Sequence, residues 1–234
     1  MRRLALAGLA SIVLGLAVAV APAGATNECN GLQVCVPIAG PWVVVSTAST
    51  VPRPTVEYQV TCPKGYVAGG LDAELSQRAI DLAFLGRLGA PVNPGISTDR
   101  AVTFVGRYVG TAPRGPTFRP HVGCMPANGG GVRAPTASTV FKPGQPTTRR
   151  VHEVRVRPGS QTVVQMCGKG ERLVAASHAF GFFTKRPPSE SLVHAVNGTL
   201  TVRGQRAVVS VRADAELGGV RAVVQVHALC SRTA

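Results

Sequence analysis

Cys62-Pro63-Lys64-Gly65, closed downstream by His121-Val122-Gly123-Cys124, returns later as Cys167-Gly168-Lys169-Gly170, closed by His227-Ala228-Leu229-Cys230. The cysteine separations are 62 and 63 residues, a single insertion apart. Arg53-Pro54 precedes the first motif by about the distance at which Arg157-Pro158 precedes its repeat, and the alignment lays Ala101-Val102 on Ala207-Val208. A further echo, Thr47 to Val51 against Thr136 to Val140, sits at a different offset and does not set the register. Chance similarity in a chain rich in Ala, Val and Gly accounts for single matches, but not for matched cysteine spacing with matched neighbours. The sequence therefore reads as two copies of one unit of roughly 100 residues.

Six cysteines admit 15 connectivities, and sequence alone does not normally choose among them. The repeat narrows the choice. If each copy folds on itself, Cys62 pairs with Cys124 and Cys167 with Cys230, and Cys29 and Cys35 are left to close a small N-terminal loop. The even count, the lack of any Cys-x-x-Cys and the lack of a histidine at zinc-finger distance favour disulfides over metal. In the chain-entropy model each long bridge constrains the unfolded state by roughly 4 kcal/mol. That is comparable to the net stability of a small domain.

Outward from the cysteines, short Val- and Thr-rich runs alternate with Gly and Pro, the pattern of strands and turns. The fold class expected is all-β: two tandem antiparallel sandwich-like or small-barrel modules, each with one internal disulfide. Leu192 to Val196 and Thr199 to Val202 read as a hairpin around Asn197-Gly198. Ala207 to Ala213, a Gly218-Gly219 turn and Arg221 to Cys230 follow. Stretches with helical period are few, and Ala73 to Leu85 is the foremost of them. Alternation in the last strand puts Ala222, Val224, Val226, Ala228 and Cys230 on a core face, and turns His227 outward. His121, beside Arg119, is expected outward by the same logic. The organisation reads as a signal peptide over 1–25, an N-terminal disulfide loop over 26–39 and a first module over 40–126. A Gly-, Pro- and Thr-rich linker over 127–148 and a second module over 149–234 complete it.

The leading segment gives an address. Arg2-Arg3, an apolar run from Leu4 to Val20, Pro22 and the small residues Ala23-Gly24-Ala25 have the order of a cleaved secretory signal, with Thr26 as the mature start. The run falls short of the ~20 residues a spanning helix needs, and no later stretch is long and apolar enough. The twin-arginine pair leaves the general and twin-arginine export routes both open.

No H-E-x-x-H, no G-x-S-x-G elbow and no phosphate-loop spacing occurs, so no catalytic, cofactor or metal residues are assigned and the chain is read as non-enzymatic. Charge is the one feature that points to a partner. Residues 26–148 hold ten basic and six acidic residues, whereas residues 149–234 hold thirteen and five. Arg149, Arg150, Arg155 and Arg157 open the second copy and are the candidate contacts for an anionic envelope polymer. With one Trp and three Tyr, the chain lacks the stacking platforms of nucleic-acid binders, which argues against that partner.

The pattern C-P-x-G-x-x-x-G-G, here Cys62-Pro63-Lys64-Gly65 to Gly69-Gly70 and closed by a strand ending in cysteine, resembles a module of uncharacterised secreted actinobacterial proteins. The second copy departs from it, with Gly168 for Pro63 and Val174-Ala175 for the glycine pair. The resemblance implies an exported protein, extracellular or associated with the cell envelope, and carries no activity. The function expected is structural or binding. The alternative is a secreted hydrolase or protease-inhibitor-like protein acting through the loop over 87–100.

Overall fold

The computed structural model describes residues 26–48, 50–85, 100–111, 115–127 and 147–232. The signal segment, all but the last residue of the loop expected over 87–100 and most of the expected linker lie outside the described residues. The chain is an antiparallel all-β protein, and all three disulfides follow the pairing that the repeat implies: Cys29–Cys35, Cys62–Cys124 and Cys167–Cys230.

The first copy runs β1 (Val36–Ala39), β2 (Trp42–Val44), β3 (Thr55–Thr61), β4 (Tyr66–Leu75), β5 (Ile80–Leu85), β6 (Ala101–Tyr108) and β7 (Thr117–Pro126). The second runs β8 (Thr147–Val156), β9 (Gly159–Met166), β10 (Glu171–Phe183), a short helix α1 (Glu190–His194), β11 (Val196–Arg203), β12 (Arg206–Ala213) and β13 (Arg221–Arg232). In each copy a three-stranded sheet packs on part of one large sheet. The small sheets are β3-β6-β5 and β11-β12-β9, so β3 answers β9, β6 answers β12 and β5 answers β11. In the large sheet β4 and β10 answer one another, as do β7 and β13. Even the irregularities repeat. β4 slips register between Ala68 and Gly70 opposite Cys124, and β10 slips between Leu173 and Ala175 opposite Cys230.

The large sheet is shared. β1 and β2 both pair β7, interrupted by Gly40-Pro41, and β2 also pairs β10 through Trp42↔Phe182 and Val43↔Gly181. One antiparallel ladder thus passes from the first copy into the second. Packing crosses the joint too: Ala179 and Val223 belong to the buried cluster of Phe104, Phe118 and Val122, while Val44 packs on the cluster of Phe182, Val209 and Val224.

Four expectations change. Ala73 to Leu85 is not helical: it is the end of β4, a turn and β5. Asn197-Gly198 is no hairpin turn. Val196 to Arg203 is one strand, preceded by α1 with Ser189 as its N-cap, and the turn falls at Gly204, whose φ of 57° only glycine adopts freely. Gly198 lies against the Phe180 ring, where a Cβ would come within 2.7 Å of it. The third change is one of alignment. Cys62 N–H donates to Arg100 O and Cys167 N–H to Gln205 O, which places Val102 on Ala207 and moves the single insertion beyond β6. Finally, His121 and His227 are buried, at 5% and 1% exposure. Each faces away from its own small sheet, as alternation requires, but that outer face is covered in both copies.

Candidate functional site

What covers His227 is the edge of the first copy. β3 is the outermost strand of its sheet, and its core face carries Val56, Tyr58 and Val60, which leaves Glu57 and Gln59 pointing at the second copy. There they meet β8, β10 and β13. Arg149 spans the Glu57 carboxylate with both terminal nitrogens, Nη2 standing 3.3 Å from Oε1. Ser177 donates its hydroxyl to Glu57 Oε2 at 2.8 Å. Arg149 Nη1 also donates to His227 Nδ1 at 3.2 Å, so the imidazole proton sits on Nε2 and is donated to Gln225 Oε1 at 2.7 Å. Gln225 completes the set as a strand would. Its Oε1 accepts from Gln59 N–H at 2.6 Å, and its amide nitrogen donates to Gln59 O at 3.0 Å and to Glu153 Oε2 at 3.1 Å. Tyr58 donates to the same Glu153 oxygen at 2.7 Å.

The electrostatics follow from burial and from Arg149. Burial pushes the His227 imidazole down to about 4, and the Arg149 charge reinforces this against a smaller opposing pull from Glu57. Burial alone would raise Glu57, but hydrogen bonds from Arg149 and Ser177 and the Arg149 charge outweigh it and hold the carboxyl below its ordinary value. Tyr58 is pushed well up by burial and by the carboxylate it faces. At neutral pH the joint therefore holds an ionised Glu57, a cationic Arg149 and a neutral His227. Two clefts flank the network, about 590 Å³ beside Tyr58 and Gln59 and about 260 Å³ beside Ser177 and His227, and Arg149 lines both.

Ser177, His227 and Glu57 are the residue types of a nucleophilic relay, but in the wrong order. The serine proton goes to the carboxylate, and the imidazole proton goes to an amide. Among the described residues the one group of converging metal-ligand types is Cys167, Glu171 and Cys230. Its two sulfurs are bonded to each other, and the carboxylate spans Arg150 at 2.9 and 3.0 Å, so the donors are already committed.

The four arginines expected to meet an anion divide. Arg149 and Arg150 are held in ion pairs with Glu57 and Glu171. Arg155 and Arg157 are exposed, with no ion pair among the described residues, and border a hollow of about 360 Å³ with Gly218 and Gly219. Sequence reasoning missed a second basic surface. On the outer rows of β9-β12-β11, Arg212 stands between Ser160 and Asn197, Ser210 between Thr162 and Thr199, and Arg206 between Met166 and Arg203. Arg203, Arg206 and Arg212 are exposed, and these rows contain no carboxylate. Strand alternation in Arg206 to Ala213 was the available signal.

Fold and site together define a disulfide-bonded, antiparallel all-β protein made of two units of matching strand order, with a polar network at their joint and an arginine-bearing outer sheet. Compared with protein-family models, with curated protein sequences and with solved structures, the chain matches none. Among the described residues no helix is long and apolar enough to cross a membrane.

Proposed function

We propose that the chain is a non-enzymatic protein of the extracellular space or cell envelope, exported by its leading segment, that holds anionic polymer on its second copy. The observation that carries this reading is the outer face of β9-β12-β11, where Arg203, Arg206 and Arg212 stand exposed among Ser, Thr and Asn side chains in rows that hold no carboxylate. A flat face of this kind suits repeated phosphate or carboxylate groups: arginine supplies forked donors and the hydroxyls add neutral ones. Arg155 and Arg157 supply a second point of contact. The disulfides fit an oxidising compartment.

The test is retention on immobilised polyphosphate across a salt gradient. The wild-type protein is expected to bind at low salt and elute steeply as salt rises, because exposed charges are screened within about 10 Å at 0.1 M. Replacing Arg203, Arg206 and Arg212 with serine should lower the eluting salt substantially. Retention indifferent to salt, or unchanged in the triple variant, would exclude this mode of binding.

A further inference from the structure

The outer face of the first copy is covered too, and by a different segment. Residues 26–35, closed by Cys29–Cys35, lie over β4 and β7. The Glu28 carbonyl is seated against two glycines, so that a Cβ on Gly70 or Gly123 would come within 1.9 or 2.0 Å of it. The copies can be compared position by position. Asp72↔His121 in β4 and β7 corresponds to Ser177↔His227 in β10 and β13. Glu57 Oε2 stands 4.0 Å from His227 Nδ1, and Glu28 Oε1 stands 3.8 Å from His121 Nδ1. Ser177 reaches the β3 segment through Glu57, and Asp72 reaches the N-terminal segment by accepting from Asn27 N–H at 2.6 Å. Gly70 and Gly123 fall where the second copy has Ala175 and Leu229. The N-terminal loop therefore occupies, on the first copy, the place that β3 occupies on the second. Its fit is incomplete: Glu28 Oε2 is buried without a hydrogen-bond partner among the described residues.

We propose that this loop is an intramolecular cap, and that the face beneath it docks the β9 edge of a second molecule of this chain. The internal joint supplies the template. There the face of one copy meets the edge strand β3 of the other; the corresponding edge of the second copy, β9, pairs no further strand among the described residues and carries no charged residue to deter pairing, although its Val164 carbonyl lies 3.2 Å from His152 Nδ1. Side-chain chemistry matches with the roles exchanged. The Ser177 hydroxyl on Glu57 becomes Asp72 on the face with Thr162, the β9 residue at the place of Glu57. Arg119 stands where Gln225 stands; its guanidinium rests on Gly40 O and beside Glu74, and on docking it would take the Val164 carbonyl from His152. The ladder between β2 and β10 has no counterpart, because β4 ends at Leu75 before the positions matching Gly181 and Phe182. Association is therefore expected to be weak and head-to-tail, a heterologous contact that builds a ring or an open chain of molecules.

Gly70→Ala in the full chain is the opening variant, since its added methyl displaces the Glu28 carbonyl. Light scattering coupled to size exclusion should give a monomer for wild type and a mass rising with concentration for Gly70→Ala. Adding Thr162→Glu, which sets a second carboxylate against Asp72 with Pro37 rather than a counterpart of Arg149 beside it, should restore the monomer. A second opening variant, deletion of 26–34 with Cys35→Ser, guards against a local effect of the alanine. The proposal is overturned if the opened and folded variants stay monomeric at every concentration, if Thr162→Glu leaves the assembly intact, or if wild type assembles equally. It also fails if neither opened variant folds, because a segment that the fold cannot spare is no cap.

Discussion

His227 and Glu57 titrate in the same direction, and that sets the acid limit of the joint. Both have folded-state pKa values below their ordinary ones, so the unfolded chain binds more protons than the folded one as pH falls. Their contribution is complete above about pH 6.5 and is lost for His227 as pH drops towards about 4, with Glu57 adding to the loss below its ordinary value of 4.5. For His227 this amounts to about 3 kcal/mol by linkage. Thermal denaturation at pH 7.5, 5.5 and 4.0 should show a falling Tm. His227→Gln should flatten the slope between the first two, and an unflattened slope would assign the loss to other groups. Gln225 is the second test at this scale. Gln225→Leu strands the Gln59 backbone and the buried His227 Nε2 proton at once, and should cost about 1–3 kcal/mol in urea denaturation. A neutral result would mean that water replaces the amide. None of this network was legible in the sequence. Alternation told correctly which side of β13 His227 leaves by, but the edge strand that waits there lies far away along the chain, and no local pattern encodes it.

At the scale of elements, the joint depends on a few residues at the end of β10. β10 continues to Phe183, and only this extension meets β2. Gly181 is packed so closely on Pro41 that a Cβ would stand 2.4 Å from its ring. Gly181→Val should separate β2 from β10 and cost about 1–3 kcal/mol, the range for overpacking a closed contact. Unchanged stability would show that the Trp42 and Val43 pairing contributes little. The Asn197-Gly198 misreading belongs to this scale. Asn-Gly is a hairpin signal because both residues tolerate positive φ, but glycine is also chosen where a neighbour comes close, and here the Phe180 ring does. The Ala73 to Leu85 misreading has a related origin. A strand, a four-residue turn and a second strand happened to space Ala73, Leu75, Ala79, Ile80 and Leu82 at helical intervals. By contrast β12, the Gly218-Gly219 turn and β13 were legible, since Val209, Val211, Val224 and Val226 alternate strictly with polar or outward residues.

For the whole molecule, the shared sheet and the polar joint make the copies one cooperative body. Calorimetry should therefore give a single transition, with the calorimetric and van't Hoff enthalpies equal. Two separate transitions would show that the copies unfold independently. The free edges explain why the ladder stops at two copies. On the numbering that aligns Cys124 with Cys230, β8 carries Glu153 and Arg155 where β2 carries Trp42 and Val44. Charged edge residues of this kind discourage further pairing. The all-β class and the three disulfides were readable in the sequence because frequent turns between Val- and Thr-rich runs and matched cysteine spacing are global signals. The fusion of the two sheets was not, since it needs only the short strand Trp42 to Val44.

The two long disulfides also fix how the protein would respond to tension. Each ties the end of β3 or β9 to the closing strand of its copy, across 62 and 63 residues. Pulled from its ends, the chain can pay out only the segments outside those loops, and about 210 Å of contour in each copy stays locked until a sulfur–sulfur bond is reduced. Extensibility would then be set by the redox state of the surroundings more than by the strength of the strands.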